Sequence, residues 1–151
     1  MSTKNFLCYQ GTYLKWLKIS GPLLDRIDIH IEIPTVKYKE LSDENSSEKS
    51  EIIKERVERA RQIQLSRFKN DRIFSNSQMN YKLTRKYCKL DEPSKDLLKT
   101  AITELGFSAR CYDKILKISR TIADLEGKEN INSDHVSEAI QYRSLDRDIF
   151  I

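Results

Sequence analysis

Cys111, Ile115, Ile118, Ile122 and Leu125 fall at 4-3-4-3 spacing between Ser108 and Gly127. That spacing returns a side chain to the same face of a helix at each turn, so other apolar faces must cover the seam. A serine before the run supplies an N-cap, and a glycine after it supplies a left-handed exit. The neighbouring segments are built the same way. Asp91 caps a helix with Pro93 in its first turn and Leu97, Leu98, Ala101, Ile102 and Leu105 on one face, ended by Gly106. Ser133 is the expected cap of a last short helix that runs through Tyr142 and contains Val136, Ala139 and Ile140. Upstream, residues 48–68 read as a long helix with Ile53, Val57, Ala60 and Ile63 on one face. Its other faces carry solvated pairs such as Lys54–Glu58 and Glu55–Arg59. Residues 69–80 read as a loop and 81–88 as a short basic helix, giving a four- or five-helix bundle over 48–142.

The first third follows different rules. Residues 4–18 are aromatic-rich with a break at Gly11. In SGPLLDRIDIHIEIP, residues 20–34, Pro22 opens a short helix. Ile27, Ile29, Ile31 and Ile33 then alternate with Asp28, His30 and Glu32. This is the pattern of a half-buried strand, with the isoleucines covered and His30 on a solvent-facing polar stripe. A single strand is not stable alone, so it reads as the edge of a sheet whose other strands lie elsewhere. Residues 35–50 are polar and serine-rich, a linker.

Four glycines and three prolines in 151 residues leave few turns, which favours helices over a many-stranded sheet. The net charge of +4 comes from 27 basic and 23 acidic side chains mixed along the chain, a salt-bridged surface and only a weak nucleic-acid footprint. Cys8, Cys88 and Cys111 form no CxxC pair, so neither a disulfide framework nor a cysteine zinc site is expected, and no other metal site is expected. No apolar run approaches the roughly 20 residues of a membrane span, and no signal peptide is readable; the expected compartment is the cytoplasm. A phosphate-cradling loop needs a glycine ahead of Gly-Lys-Ser/Thr, but Gly127-Lys128 is followed by Glu129 and preceded by Ile122 at the glycine position. Neither Asp43-Glu44 nor Asp91-Glu92 follows an apolar strand, as a metal-holding acidic pair should. The chain is therefore expected not to hydrolyse a nucleotide by itself.

Two segments stand out. SGPLLDRIDI resembles the arginine-finger motif of AAA+ ATPases in the clade of magnesium chelatases and minichromosome-maintenance helicases. LGFSARCYDKILKISRTIADLEG, residues 105–127, resembles the sensor-2 helix of the same clade. With NSQM, RKYCKLDE and HVSEAIQYRSLDR, the run over about 18–147 is similar to the ComM/YifB group of magnesium-chelatase-like competence proteins. The resemblance implies a mainly α fold, an AAA+ C-terminal helical lid bundle preceded by a short helix-strand remnant of the α/β ATPase core. The implied division is 1–35 core remnant, 36–47 linker and 48–147 lid, a piece that begins inside the core of a longer ATPase.

By the same resemblance, Arg26 is an arginine finger acting in trans on a neighbouring subunit's ATP, and Arg110 is the sensor-2 arginine touching ATP phosphate. Whether Arg110 acts in cis or in trans stays open. Local physics bears on Arg110: a cation in the first turn after Ser108 is mildly disfavoured by the helix dipole, whereas a phosphate there is favoured. ATP and magnesium are the cofactors implied for the complete family protein, with none expected to bind this chain alone. A homo-oligomeric (hexameric) ring or a full-length relative is the implied partner, with DNA reached through the complete motor and no membrane. A different class of function, a small helical DNA- or protein-binding module, remains an alternative, as does a non-functional remnant. Arg56, Arg59, Arg61 and Arg67 on one helix and Lys82, Arg85, Lys86 and Lys89 on another are candidate phosphate-backbone contacts, the second set being less diluted by glutamates. His135 is read as structural.

Overall fold

A computed structural model describes residues 26–31 and 48–143. Among them are five α-helices: α1 Ser50–Arg67, α2 Tyr81–Tyr87, α3 Glu92–Leu105, α4 Ala109–Leu125 and α5 Ser133–Gln141. A 3-10 turn, Asn76–Gln78, lies between α1 and α2. No strand occurs among the described residues; an isolated parallel bridge between Leu90 and Ile131 ties the α2–α3 connection to the α4–α5 connection. The chain is a mainly α helical bundle, as the spacing requires.

α4 is the central element, packed against α1, α2 and α5, and α3 closes on α5. Its seam is the core: Cys111, Ile115, Ile118 and Ile122 are buried together with Phe68, Met79, Cys88, Leu98, Val136 and Ala139. Each fully covered Ile or Leu contributes about 1.5–3 kcal/mol, which is why the seam, and not intrinsic propensity, holds the helix. Capping agrees with the reading at three ends. Asp91 accepts from Ser94 N at 2.9 Å, Ser108 accepts from Cys111 N at 3.2 Å, and Gly106 leaves α3 at φ 59°.

At three places the structure departs from the sequence reading. The last helix is capped by Asn132, not Ser133: Asn132 Oδ1 accepts from His135 N at 3.0 Å, and His135 Nδ1 accepts from Asn132 N at 3.1 Å. His135 takes the reciprocal role usually filled by Glu or Gln, and that geometry fixes the start one residue earlier. In α1 the expected face is only half covered. Ala60 and Gln64 are buried, while Ile53 and Val57 stay 40% and 43% exposed, because α1 docks on α4 through its second half.

The third departure concerns the alternating segment. Within 26–31 no strand forms, Ile27, Ile29 and Ile31 are 37%, 47% and 64% exposed, and His30 is buried at 4%. Alternation specifies two faces but not which is covered. With no sheet beside it among the described residues, the segment lies on helices through its polar groups instead. Ile33, the linker and the short helix at 22–25 lie outside the described residues.

Candidate functional site

The N-terminal end of α4 is fixed by local chemistry. The Ser108 hydroxyl satisfies one orphan N–H, and Cys111, 1% exposed, anchors the first turn in the core. Arg110 then projects from an exposed position in that turn, next to Tyr112, which is 42% exposed. One turn further on, Lys114 pairs with Asp28 at 2.7 Å and reaches the Ile27 carbonyl at 3.5 Å. Arg143, just past α5, also donates to the Ile27 carbonyl, and His30 N donates to the Tyr142 carbonyl at 2.9 Å. These contacts lay residues 27–30 along the first half of α4 and the exit of α5. Arg26, itself exposed, directly precedes this held segment. The N-terminal end of α4, with its N–H groups and the exposed Arg110, has the chemistry to hold an anion.

The other half of α4 is built around Asp124, which is fully buried. Arg67 grips it with both terminal nitrogens, one at 2.7 Å. Arg120 Nε reaches it at 3.1 Å and Asn76 Nδ2 at 2.8 Å. Arg120 continues outward, donating at 2.6 Å to the carbonyls of both Lys128 and Glu129. Asn76 Nδ2 also donates to Thr121 Oγ1 at 3.0 Å, and its backbone N–H is taken by the Gln64 side chain at 3.1 Å. Burial lowers the pKa of Arg120, the charge of Arg67 lowers it further, and Asp124 opposes both. The sequence reading grouped Arg67 with cations that could track a phosphate backbone. The structure instead commits its guanidinium to Asp124 and Asn76, with 14% of the side chain exposed. The reading missed this cluster; the one local trace of it is Arg120 and Asp124 at i,i+4 on the buried side of α4.

Nearby, burial pushes the Cys88 thiol up to about 12, against the opposing pull of Arg120 and Arg67. Among the described residues no group of three His, Cys, Asp or Glu side chains is placed to hold a metal, and no helix is long and apolar enough to cross a membrane.

Comparison with known proteins agrees with this architecture. Residues 47–143 match the family described as magnesium chelatase, subunit ChlI C-terminal. Residues 3–41 match magnesium chelatase, subunit ChlI. Competence protein ComM of Haemophilus influenzae is 38% identical over 131 residues, 86% of this chain and 25% of that protein. The YifB protein of Salmonella typhimurium is 36% identical over 149 residues, 92% of this chain and 29% of its own length. The YifB protein of Escherichia coli is 34% identical with the same coverage. The chain spans about a quarter of the length of these curated relatives. Its helical bundle carries the C-terminal domain of subunit ChlI, and the chain belongs to the magnesium chelatase family.

Proposed function

We propose that this chain is the lid portion of a magnesium-chelatase-like AAA+ ATPase, with Arg110 as a sensor-2 arginine on ATP phosphate and Arg26 as an arginine finger toward a neighbouring subunit. The observation that carries the reading is Arg110, exposed in the first turn of α4 behind the intact Ser108 cap. Arg26 is exposed as well, and the segment that follows it is held on α4 by the Lys114–Asp28 pair. A guanidinium stays charged and donates in a fork, which suits the charge spread over a transferring phosphoryl group. In this reading residues 1–35 belong to the ATPase core, 36–47 to a linker and 48–147 to the lid. The complete protein binds ATP and magnesium between core and lid, assembles as a ring and acts on DNA, whereas this chain alone binds no nucleotide.

The test uses a complete relative such as the H. influenzae protein. Replacing its arginine aligned with Arg26 by Ala should lower ATP turnover about a thousandfold or more, as loss of an arginine finger does. The Arg110 counterpart should weaken nucleotide binding or turnover while assembly persists. Turnover within about threefold of the parent for both variants would sink the assignment. ATP binding by the purified 151-residue chain at millimolar nucleotide would sink the expectation that it is inactive alone.

A further inference from the structure

At the far end of α4 from Arg110 lies an open concavity of about 490 Å³, walled by α1, α2 and the α4–α5 connection. Arg67 and Arg120 stand in its wall, Lys86, Lys89 and Lys128 line it with exposed side chains, and Glu129 is its one acidic lining residue. Around this hollow, five cations face two carboxylates, Asp124 and Glu129. Asp71, which accepts from Tyr87 Oη at 2.8 Å, is a third at the edge. The local excess is half the +4 of the whole chain, in a molecule whose other charges are mixed.

Two features make this more than a solvated basic face. Two guanidiniums share the single buried Asp124, so one positive charge beneath the wall has no carboxylate of its own. Buried charge of that kind is costly unless an anion answers it. Arg120 donates to the carbonyls of Lys128 and Glu129 in the α4–α5 connection, which fixes its guanidinium beneath this wall. Lys86 is held against the ring of Tyr87, its Nζ 4.5 Å from the ring centroid, which positions the ammonium at the rim. At Gly127, with φ 70°, an added Cβ would meet nothing within 4 Å, so the hollow is open there.

We propose that this concavity is a phosphoryl-binding site, in which Lys86, Lys89 and Lys128 contact a ligand carrying two or more phosphoryl groups. The volume exceeds what one phosphate fills. The ligand is a small polyphosphorylated compound or successive phosphates of a nucleic-acid strand, which present the same chemistry. The lining of this site includes neither Arg26 nor Arg110, so neither reading depends on the other.

The experiment uses the full chain, with inorganic pyrophosphate as one probe and a short single-stranded oligonucleotide as the other. Three forms are compared: the parent, the triple variant K86Q/K89Q/K128Q, and a control that loses the same charge elsewhere, K54Q/K95Q/K99Q. The triple variant should bind the recognised probe about tenfold more weakly, and the control should change by less than about twofold. For the oligonucleotide, the log–log salt slope should shrink by about 2, as three lost phosphate contacts at roughly 0.7 each imply. Pyrophosphate binding alone assigns the site to a small ligand; oligonucleotide binding that pyrophosphate displaces assigns it to a strand backbone. Helical circular dichroism checks folding, and if the triple variant unfolds, Lys128→Gln alone should still weaken binding about twofold to threefold. Binding of neither probe, or equal weakening by the triple variant and the control, overturns the proposal.

Discussion

Arg110 and Arg120 lie about 15 Å apart along the axis of α4 and are held in opposite ways. Arg110 stands in solvent at a helix end whose dipole disfavours it. Arg120 is 3% exposed, with an ion pair and two carbonyls as acceptors. Around Arg120 the bundle gathers residues from α1, the 3-10 turn and the α4–α5 connection; around Arg110 the described contacts are the Ser108 cap and, one turn on, a short tethered segment. The contrast separates two uses of one residue type. An arginine surrounded by acceptors is part of the fold; one exposed in an unfavourable field contributes little to it.

The largest effect that would test this division is at Asp124. Asp124→Ala leaves Arg67 and Arg120 buried without a carboxylate, and breaking a buried pair from one side costs about 3–5 kcal/mol. Urea denaturation followed by helical circular dichroism reads that loss directly. A change under about 1 kcal/mol would mean that the arginines find water on removal of the carboxylate, and the two ends of α4 would then not differ in kind.

Cys88 sharpens the same comparison, because it feels both burial and the two arginines. Burial dominates and its thiol is raised from 9.0 to about 12. Three units leave about a thousandfold less thiolate below pH 9, so iodoacetamide should label Cys88 correspondingly slowly in the folded chain and at an ordinary rate in urea. The linkage follows from the direction. A folded-state value above the unfolded one gives stability that is complete below pH 9 and lost as pH rises from 9 toward 12. The parent should therefore lose more stability over that window than Cys88→Ala does. Rapid alkylation of native Cys88 would show that the arginines, not burial, set its chemistry.

What the sequence made legible was local. The α4 seam, the Ser108 and Asp91 caps and the Gly106 exit depend on residues within one or two turns, and periodicity or capping chemistry reads them without tertiary knowledge. The Asp124 cluster was not legible, because Arg67 lies 57 positions from Asp124 and Asn76 lies 48. Nothing in the chemistry of an arginine on an amphipathic helix tells which distant carboxylate it will meet. His30 shows a subtler limit. The alternation around it was visible, but the side that ends up covered depends on what lies against the segment. At the site, the resemblance supplied Arg26 and Arg110 as candidates; that the segment after Arg26 lies on α4 rests on the Lys114–Asp28 pair, which spacing could not reveal.

A smaller effect tests the corrected start of α5, which meets the C-cap residue of α4 through the 3.0 Å contact between His135 Nε2 and Glu126. Asn132→Ala removes the acceptor of the His135 N–H and should cost about 1 kcal/mol, in the usual range for an N-cap. Ser133→Ala should be close to neutral, since Ser133 is already inside the helix. The opposite ranking in thermal or urea unfolding would restore Ser133 as the cap.

The smallest effects belong to the exposed arginines, and their smallness is the point. Arg110→Ala should leave stability within about 0.5 kcal/mol of the parent, as surface sites do. A gain of a few tenths is expected, because a cation leaves the positive end of a helix whose Ser108 cap remains intact. Arg26→Ala should be as mild, since the tether of its segment runs through Asp28, the Ile27 carbonyl and His30 N, none of which the substitution touches. Both changes are to be set beside Arg120→Ala, which deletes the ion pair to Asp124 and the bonds to Lys128 and Glu129 and should cost several kcal/mol. A loss above about 2 kcal/mol at Arg110 or Arg26 would identify a side chain committed to the fold. Stability spared at these two positions, with turnover lost when the same residues are changed in a complete relative, is the pairing expected of arginines held for a nucleotide.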